Sequence, residues 1–115
     1  MKTILANIIL AFLLTSCWDE GKLQVHNKIH NVKLENISFG DISVFSSLLP
    51  GENTDDVLVS DFRDKFPKVH QLEFYMVSNG NRVYLKTKSK YSLEYGERLT
   101  ITITDTTEVI NPLLQ

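Results

Sequence analysis

From Leu23 onward, apolar residues recur at every second position over short runs, the period of half-buried strands rather than of helices. Leu23 and Val25, with Asn27 in the same phase, alternate against Lys22, Gln24 and His26, predicting a first strand followed by a turn over residues 27–31. Val32 and Leu34 share one face, whereas Ile37 and Phe39 fall in the opposite phase. A one-residue slip near Asn36 predicts a β-bulge there, or a break between two short strands. Ile42 and Val44 make a brief strand. Leu48-Leu49-Pro50-Gly51 reads as a turn, because proline presets one backbone angle and glycine accepts a positive one. Residues 57–60 predict a further strand, and a polar loop then runs through Asp61, Arg63, Asp64 and Lys65 to Phe66-Pro67.

The best-specified piece spans residues 71–87 and is centred on Asn79-Gly80, the dipeptide that favours a two-residue type I′ hairpin. Counting outward from that turn places Met76 opposite Val83, Phe74 opposite Leu85 and Leu72 opposite Thr87 on one mostly apolar face. The other face pairs Tyr75 with Tyr84 and Glu73 with Lys86, and such pairs contribute about 0.2–1 kcal/mol each. Beyond it, Tyr91 and Leu93 alternate, residues 94–97 make a turn, and Leu99, Ile101 and Ile103 alternate with Arg98, Thr100, Thr102 and Thr104 as a clean strand. The tail from Asp105 either covers a sheet edge or frays. Short strands separated by turn signals, with no useful stretch of helical period, predict an all-β fold, a small antiparallel β-sandwich of about seven strands. Leu49-Pro50-Gly51-Glu52 between two strands resembles the corresponding turns of immunoglobulin-like and related bacterial sandwich domains.

The N-terminus has a different pattern. After the cationic start Met1-Lys2-Thr3, an apolar run over residues 4–14 is interrupted only by Asn7. It is shorter than the roughly 20 residues of a bilayer span and has the proportions of a signal-peptide core. Leu14-Thr15-Ser16-Cys17 closes it, and this tetrad resembles the lipobox of bacterial lipoproteins. The resemblance implies that Leu14, Thr15 and Ser16 are read by the signal peptidase, that the Cys17 sulfur carries a diacylglyceryl group, and that Cys17 becomes the first mature residue. It also implies an outer-membrane destination, because Trp18 stands where an aspartate retains many such proteins in the inner membrane. Trp18-Asp19-Glu20 resembles the acidic stretches that follow the cysteine in surface-exposed lipoproteins of the Bacteroidetes; a plain solvated linker is the alternative. The expected organisation is thus a signal peptide over 1–16, a lipidated linker over 17–21 and a sandwich domain over 22–115.

Residues 17–115 suffice for one domain with a single core. The chain carries 12 Lys and Arg against 14 Asp and Glu, a net charge of −2 that becomes one more negative when Lys2 leaves with the leader. That balance gives no electrostatic footprint for nucleic acid. Cys17 is the single cysteine, so no disulfide within the domain is expected and stability must come from packing.

Candidate chemistry is sparse. His26 and His30 are four apart, which aligns metal ligands on a helix but not in a strand end and turn, and His70 stands alone; no metal site is expected. Glu52, Asp55, Asp56, Asp61 and Asp64 supply oxygen ligands without the calcium spacing of an EF-hand, so the loop 52–64 reads as solvated. Ser46 and Ser47 lack a nucleophile elbow, and no catalytic residue or cofactor is assigned. Lys86, Lys88 and Lys90 form either a cationic stripe facing headgroups or sugars, or edge-strand lysines that discourage aggregation. Tyr75 and Tyr84, on the face turned from the core, are candidate anchors for a partner. The expected function is a lipid-anchored, non-catalytic binding or accessory module of the bacterial envelope. It would meet the membrane through Cys17 and an envelope protein or glycan through its sheet face. The alternative is an inhibitor lipoprotein acting on an envelope hydrolase such as lysozyme or a protease.

Overall fold

The computed structural model describes residues 19–114. The leader expected over 1–16, the residues Leu14, Thr15, Ser16 and Cys17, and Trp18 lie outside the described residues. Ten strands are present among the described residues: β1 (Asp19–Asn27), β2 (Lys33–Phe39), β3 (Ile42–Leu48), β4 (Val57–Asp61), β5 (Lys68–His70), β6 (Leu72–Ser78), β7 (Asn81–Thr87), β8 (Tyr91–Leu93), β9 (Arg98–Ile103) and β10 (Val109–Ile110). Short 3-10 turns occupy Arg63–Lys65 and Pro112–Leu114. No helix among the described residues is long and apolar enough to cross a membrane.

The strands form a three-stranded sheet ordered β4-β1-β9, a five-stranded sheet ordered β10-β7-β6-β2-β3, and a two-stranded ribbon of β5 and β8. Leu23 and Val25 of β1 and Ile101 and Ile103 of β9 meet Leu34, Ile37 and Phe39 of β2, Leu48 of β3 and Leu72 and Phe74 of β6 in one core, each at most 1% exposed. Each such side chain gains roughly 1.5–3 kcal/mol by leaving water, and this burial is what holds the two sheets face to face. The all-β sandwich follows the alternation. The alternation at Tyr91 and Leu93 is β8, and the strands that the pattern did not mark are the short ones, β5 and β10. One pair departs from the antiparallel rule: β1 and β9 run parallel, from Lys22 opposite Arg98 to Asn27 opposite Ile103. Parallel neighbours need a long crossover, supplied here by everything between them.

The linker expected over 17–21 is corrected by β1, which starts at Asp19; Asp19, Glu20 and Gly21 pair with Asp61, Ser60 and Val59. The inward positions of β1 are Gly21, Leu23, Val25 and Asn27, all buried. Because the first has no side chain and the last is polar, the sequence alternates visibly over only two of the four. Leu93 of β8 fills the space over Gly21, where a Cβ would stand 2.9 Å from the leucine Cγ.

Asn27 closes the far end of β1. Its Nδ2 donates to the carbonyls of Val32 (2.8 Å) and Leu48 (3.1 Å), and its Oδ1 accepts from the Ile29 N–H (3.1 Å). Alongside, Thr54 takes over from β4 as the neighbour of β1: its Oγ1 accepts from Val25 N–H at 2.9 Å, and its own N–H donates to the Val25 carbonyl at 2.8 Å. These partners let polar groups sit in an apolar layer without loss.

The slip near Asn36 is a bulge within one strand: the register of β2 against β6 shifts between Glu35 and Ser38, and Asn36 has φ +49. The Pro50 turn is closed by Glu52 N–H donating to Leu49 O at 3.0 Å, with Gly51 at φ +85. The hairpin has the expected register, Phe74–Leu85, Tyr75–Tyr84, Met76–Val83 and Glu73–Lys86, with Asn79 and Gly80 at φ +51 and +80. The tail covers an edge, since β10 pairs Val109 with Thr87 and Ile110 with Lys86.

Strand direction sorts the loops between two ends. β1 and β9 begin and β4 finishes at one end, where Gly96 N–H also donates to Glu20 O at 2.9 Å. The hairpin tip at Asn79-Gly80 lies at the other, because β2 starts beside Asn27 and β6 runs antiparallel to β2.

Candidate functional site

The outer face of the five-stranded sheet carries the candidate site. The β6–β7 register sets Tyr75 against Tyr84, ring centroids 5.2 Å apart and inclined at 43°. β2 brings Glu35 beside Tyr75 from the other side. Arg82, two residues along β7 from Tyr84, lays its guanidinium 3.7 Å from the Tyr75 ring centroid. Its Nε donates to Glu35 Oε1 at 3.1 Å, while Lys33 Nζ reaches Glu35 Oε2 at 3.0 Å. Tyr84 donates its hydroxyl proton to Glu73 Oε1 at 2.5 Å.

This ladder corrects the expectation of freely exposed tyrosines: both rings are half-buried, one under Arg82 and the other tied to Glu73. It also reassigns Glu73, whose register partner is Lys86 but whose carboxylate is taken by the Tyr84 hydroxyl. Two groups are tuned as a result. Lys33, and then Arg82, hold the Glu35 carboxyl below the usual carboxylate range by donating to its charged form. The hydrogen bond to Glu73, with some burial, pushes the Tyr84 phenol up to about 12, because ionisation would place an anion against the carboxylate. The face thus sets two tyrosine rings between two acids, Glu35 bonded to Arg82 and Glu73 bonded to the Tyr84 hydroxyl. Such a surface suits recognition by stacking and hydrogen bonding. Arg82 and Glu73 were within reach of sequence reasoning once the hairpin register was counted; Glu35 was not, because its place depends on the long-range β2–β6 pairing.

The remaining candidates are dispersed. His30 Nδ1 lies 2.7 Å from Asp105 Oδ2 on an exposed loop pair, which holds the Asp105 carboxyl below its ordinary value. His70 packs its ring edge-on to Phe39 at 5.2 Å and stands over Gly40, where a Cβ would meet the ring at 2.6 Å. His26 is half-buried on β1, bridged to Asn53. Three of the five acids of the 52–64 loop are engaged separately: Glu52 accepts from Leu49 N–H (2.8 Å), Asp56 from Arg98 (2.6 Å) and Asp61 from Lys68 (2.9 Å). No group of three or more metal-ligating side chains gathers among the described residues. Ser46 and Ser47 lie on β3, the latter opposite Glu35.

Lys86 does not lie on a free sheet edge, because β10 pairs with β7 there, whereas Lys88 and Lys90 are exposed and Lys88 lies 3.4 Å from Glu108. An open cleft of about 340 Å³ lies at the end where β1 begins, lined by Glu20, Lys22, Gly96, Glu97 and Arg98. No family model matches the chain, and neither a curated protein nor a solved structure matches it.

Proposed function

We propose that this chain is a lipoprotein of the bacterial envelope, acylated at Cys17 and destined for the outer membrane, whose sandwich is a non-catalytic binding or accessory module. The observation that carries the binding role is the Tyr75–Tyr84 platform: two aromatic rings held at fixed angle on a sheet face, flanked by Glu35, Arg82 and Glu73. The anchoring role is supported by the cationic start, the apolar run over residues 4–14 and the tetrad Leu14-Thr15-Ser16-Cys17. A protein or glycan partner fits the platform chemistry.

Labelling growing cells with a clickable fatty acid tests the anchor. Label in the wild type and none in Cys17→Ala is the expected result, and label retained in the variant would refute it. A photo-reactive residue at position 86, beside Tyr84 on the same face of β7, tests the surface, with the same residue at Asn53 as control. Crosslinks confined to position 86 support the platform, and their absence there removes it.

A further inference from the structure

We propose that the end of the sandwich bearing Phe62 is seated in the headgroup layer of the membrane that holds Cys17, with Phe62 as an aromatic wedge. The proposal rests on the lipid-anchor reading and adds the contact that reading leaves open. Covalent geometry carries the first step. Only Trp18 separates Cys17 from Asp19, so the two Cα atoms stand at most about 7 Å apart. The headgroup region of one leaflet is roughly 5–8 Å thick. Pairing of β1 with β4 begins at Asp19 itself, which leaves no spacer to hold the domain clear of the lipid.

What lies at that end decides the contact. Asp61 is the register partner of Asp19, and the next residue is Phe62, 74% exposed. Its N–H donates to Asp61 Oδ1 at 2.8 Å and its carbonyl accepts from Lys65 N–H at 2.8 Å, so the backbone holds the ring outward. The 3-10 turn that follows buries no residue, so core packing does not call for a phenylalanine at its start. Around it, Arg63 lies 4.6 Å from the Tyr95 ring, Phe66 packs on Tyr95 at 6.3 Å, and Val69 is 48% exposed. The Phe62 ring and the Arg63–Tyr95 pair are residue types of a membrane interface, and they stand beside the acids Asp61 and Asp64, the first of which is paired with Lys68 at 2.9 Å. At the other end, the hairpin stands about 23 Å away along the seven residues of β6.

The test uses the lipidated chain in vesicles of phosphatidylethanolamine and phosphatidylglycerol with a fraction of brominated acyl chains. Trp18→Phe removes the single native tryptophan, and Phe62→Trp or Val83→Trp supplies a new one; intact mass reports the acyl groups. The expected result is a blue-shifted tryptophan at 62 quenched at least twofold by bromolipid, and one at 83 left unquenched. Acyl mass present with position 62 unquenched, or quenched no more than 83, overturns the seating while the anchor stands. A blue shift at 62 without bromolipid quenching means burial against protein and likewise overturns it. Acyl mass absent from Cys17 removes the anchor and the seating together.

Discussion

Replacing Asn27 separates hydrogen bonding from apolar packing in this core. The side chain is fully buried and makes three hydrogen bonds that join β1, the loop at Ile29, the start of β2 and the end of β3. Asn27→Ala removes three hydrogen bonds, to two carbonyls and one N–H, two of them in wholly buried surroundings. At about 1 kcal/mol net per bond, the loss is about 3 kcal/mol. Against the 5–15 kcal/mol typical of a domain this is a large share. Urea unfolding of the chain from residue 17, with Cys17→Ser, should show the midpoint falling by about 1–3 M at unchanged slope.

Asn27→Asp sharpens the reasoning. It substitutes an acceptor where two carbonyl oxygens already point, so the buried carboxylate is disfavoured and the folded-state pKa of the new acid rises above its unfolded value of about 4. The folded variant then binds the extra proton, and its stability falls as pH rises from that value toward the folded pKa. Measured against the unsubstituted chain at each pH, the deficit should be smaller at low pH than at neutrality. A cost below about 1 kcal/mol for Asn27→Ala, or a deficit for Asn27→Asp that does not grow with pH, would refute the role given to this residue.

Gly21→Ala places a Cβ 2.9 Å from the Leu93 side chain and should cost about 1–3 kcal/mol in the same urea assay, and less when measured in a Leu93→Ala background, where the crowding is gone. Ultraviolet titration should show one tyrosine ionising near 12, and Glu73→Gln should bring it back toward 10, because the hydrogen bond to the carboxylate is the main cause of the rise. By linkage, the stability Tyr84 contributes is complete below its unfolded pKa and is lost as pH climbs through about 12. On the acid side, the Asp61 carboxyl is held low first by Lys68 and then by the Phe62 N–H. Its contribution is present above its unfolded pKa and is lost as pH falls through the folded one, and Lys68→Met should flatten that part of the acid unfolding curve.

Elements whose specification is local were legible. The hairpin follows from one dipeptide and the residues within eight positions of it, and the bulge at Asn36 from a phase slip between neighbours. The tyrosine pair and its surroundings were legible in part, since Tyr75, Tyr84 and Arg82 share the hairpin register whereas Glu35 arrives from another part of the chain. Where local pattern and tertiary neighbour disagree, the neighbour decides. Asp19-Glu20-Gly21 has the composition of a linker but is strand, because β4 satisfies its backbone and Leu93 covers the glycine. Asn27 stands in phase with Leu23 and Val25, yet it is buried because the nearby Ile29 and Val32 and the distant Leu48 satisfy its amide.

By itself, then, the sequence determined the class of fold, the hairpin and the turns, since period-two burial and left-handed turn residues act within a few bonds of where they are written. The tertiary structure alone decided the parallel pairing of β1 with β9, the covering of β7 by β10 and the strand that begins at Asp19. Each depends on which surfaces meet once the two sheets close on their core. The free energy of that meeting belongs to pairs of segments far apart in the chain, and no single segment carries it.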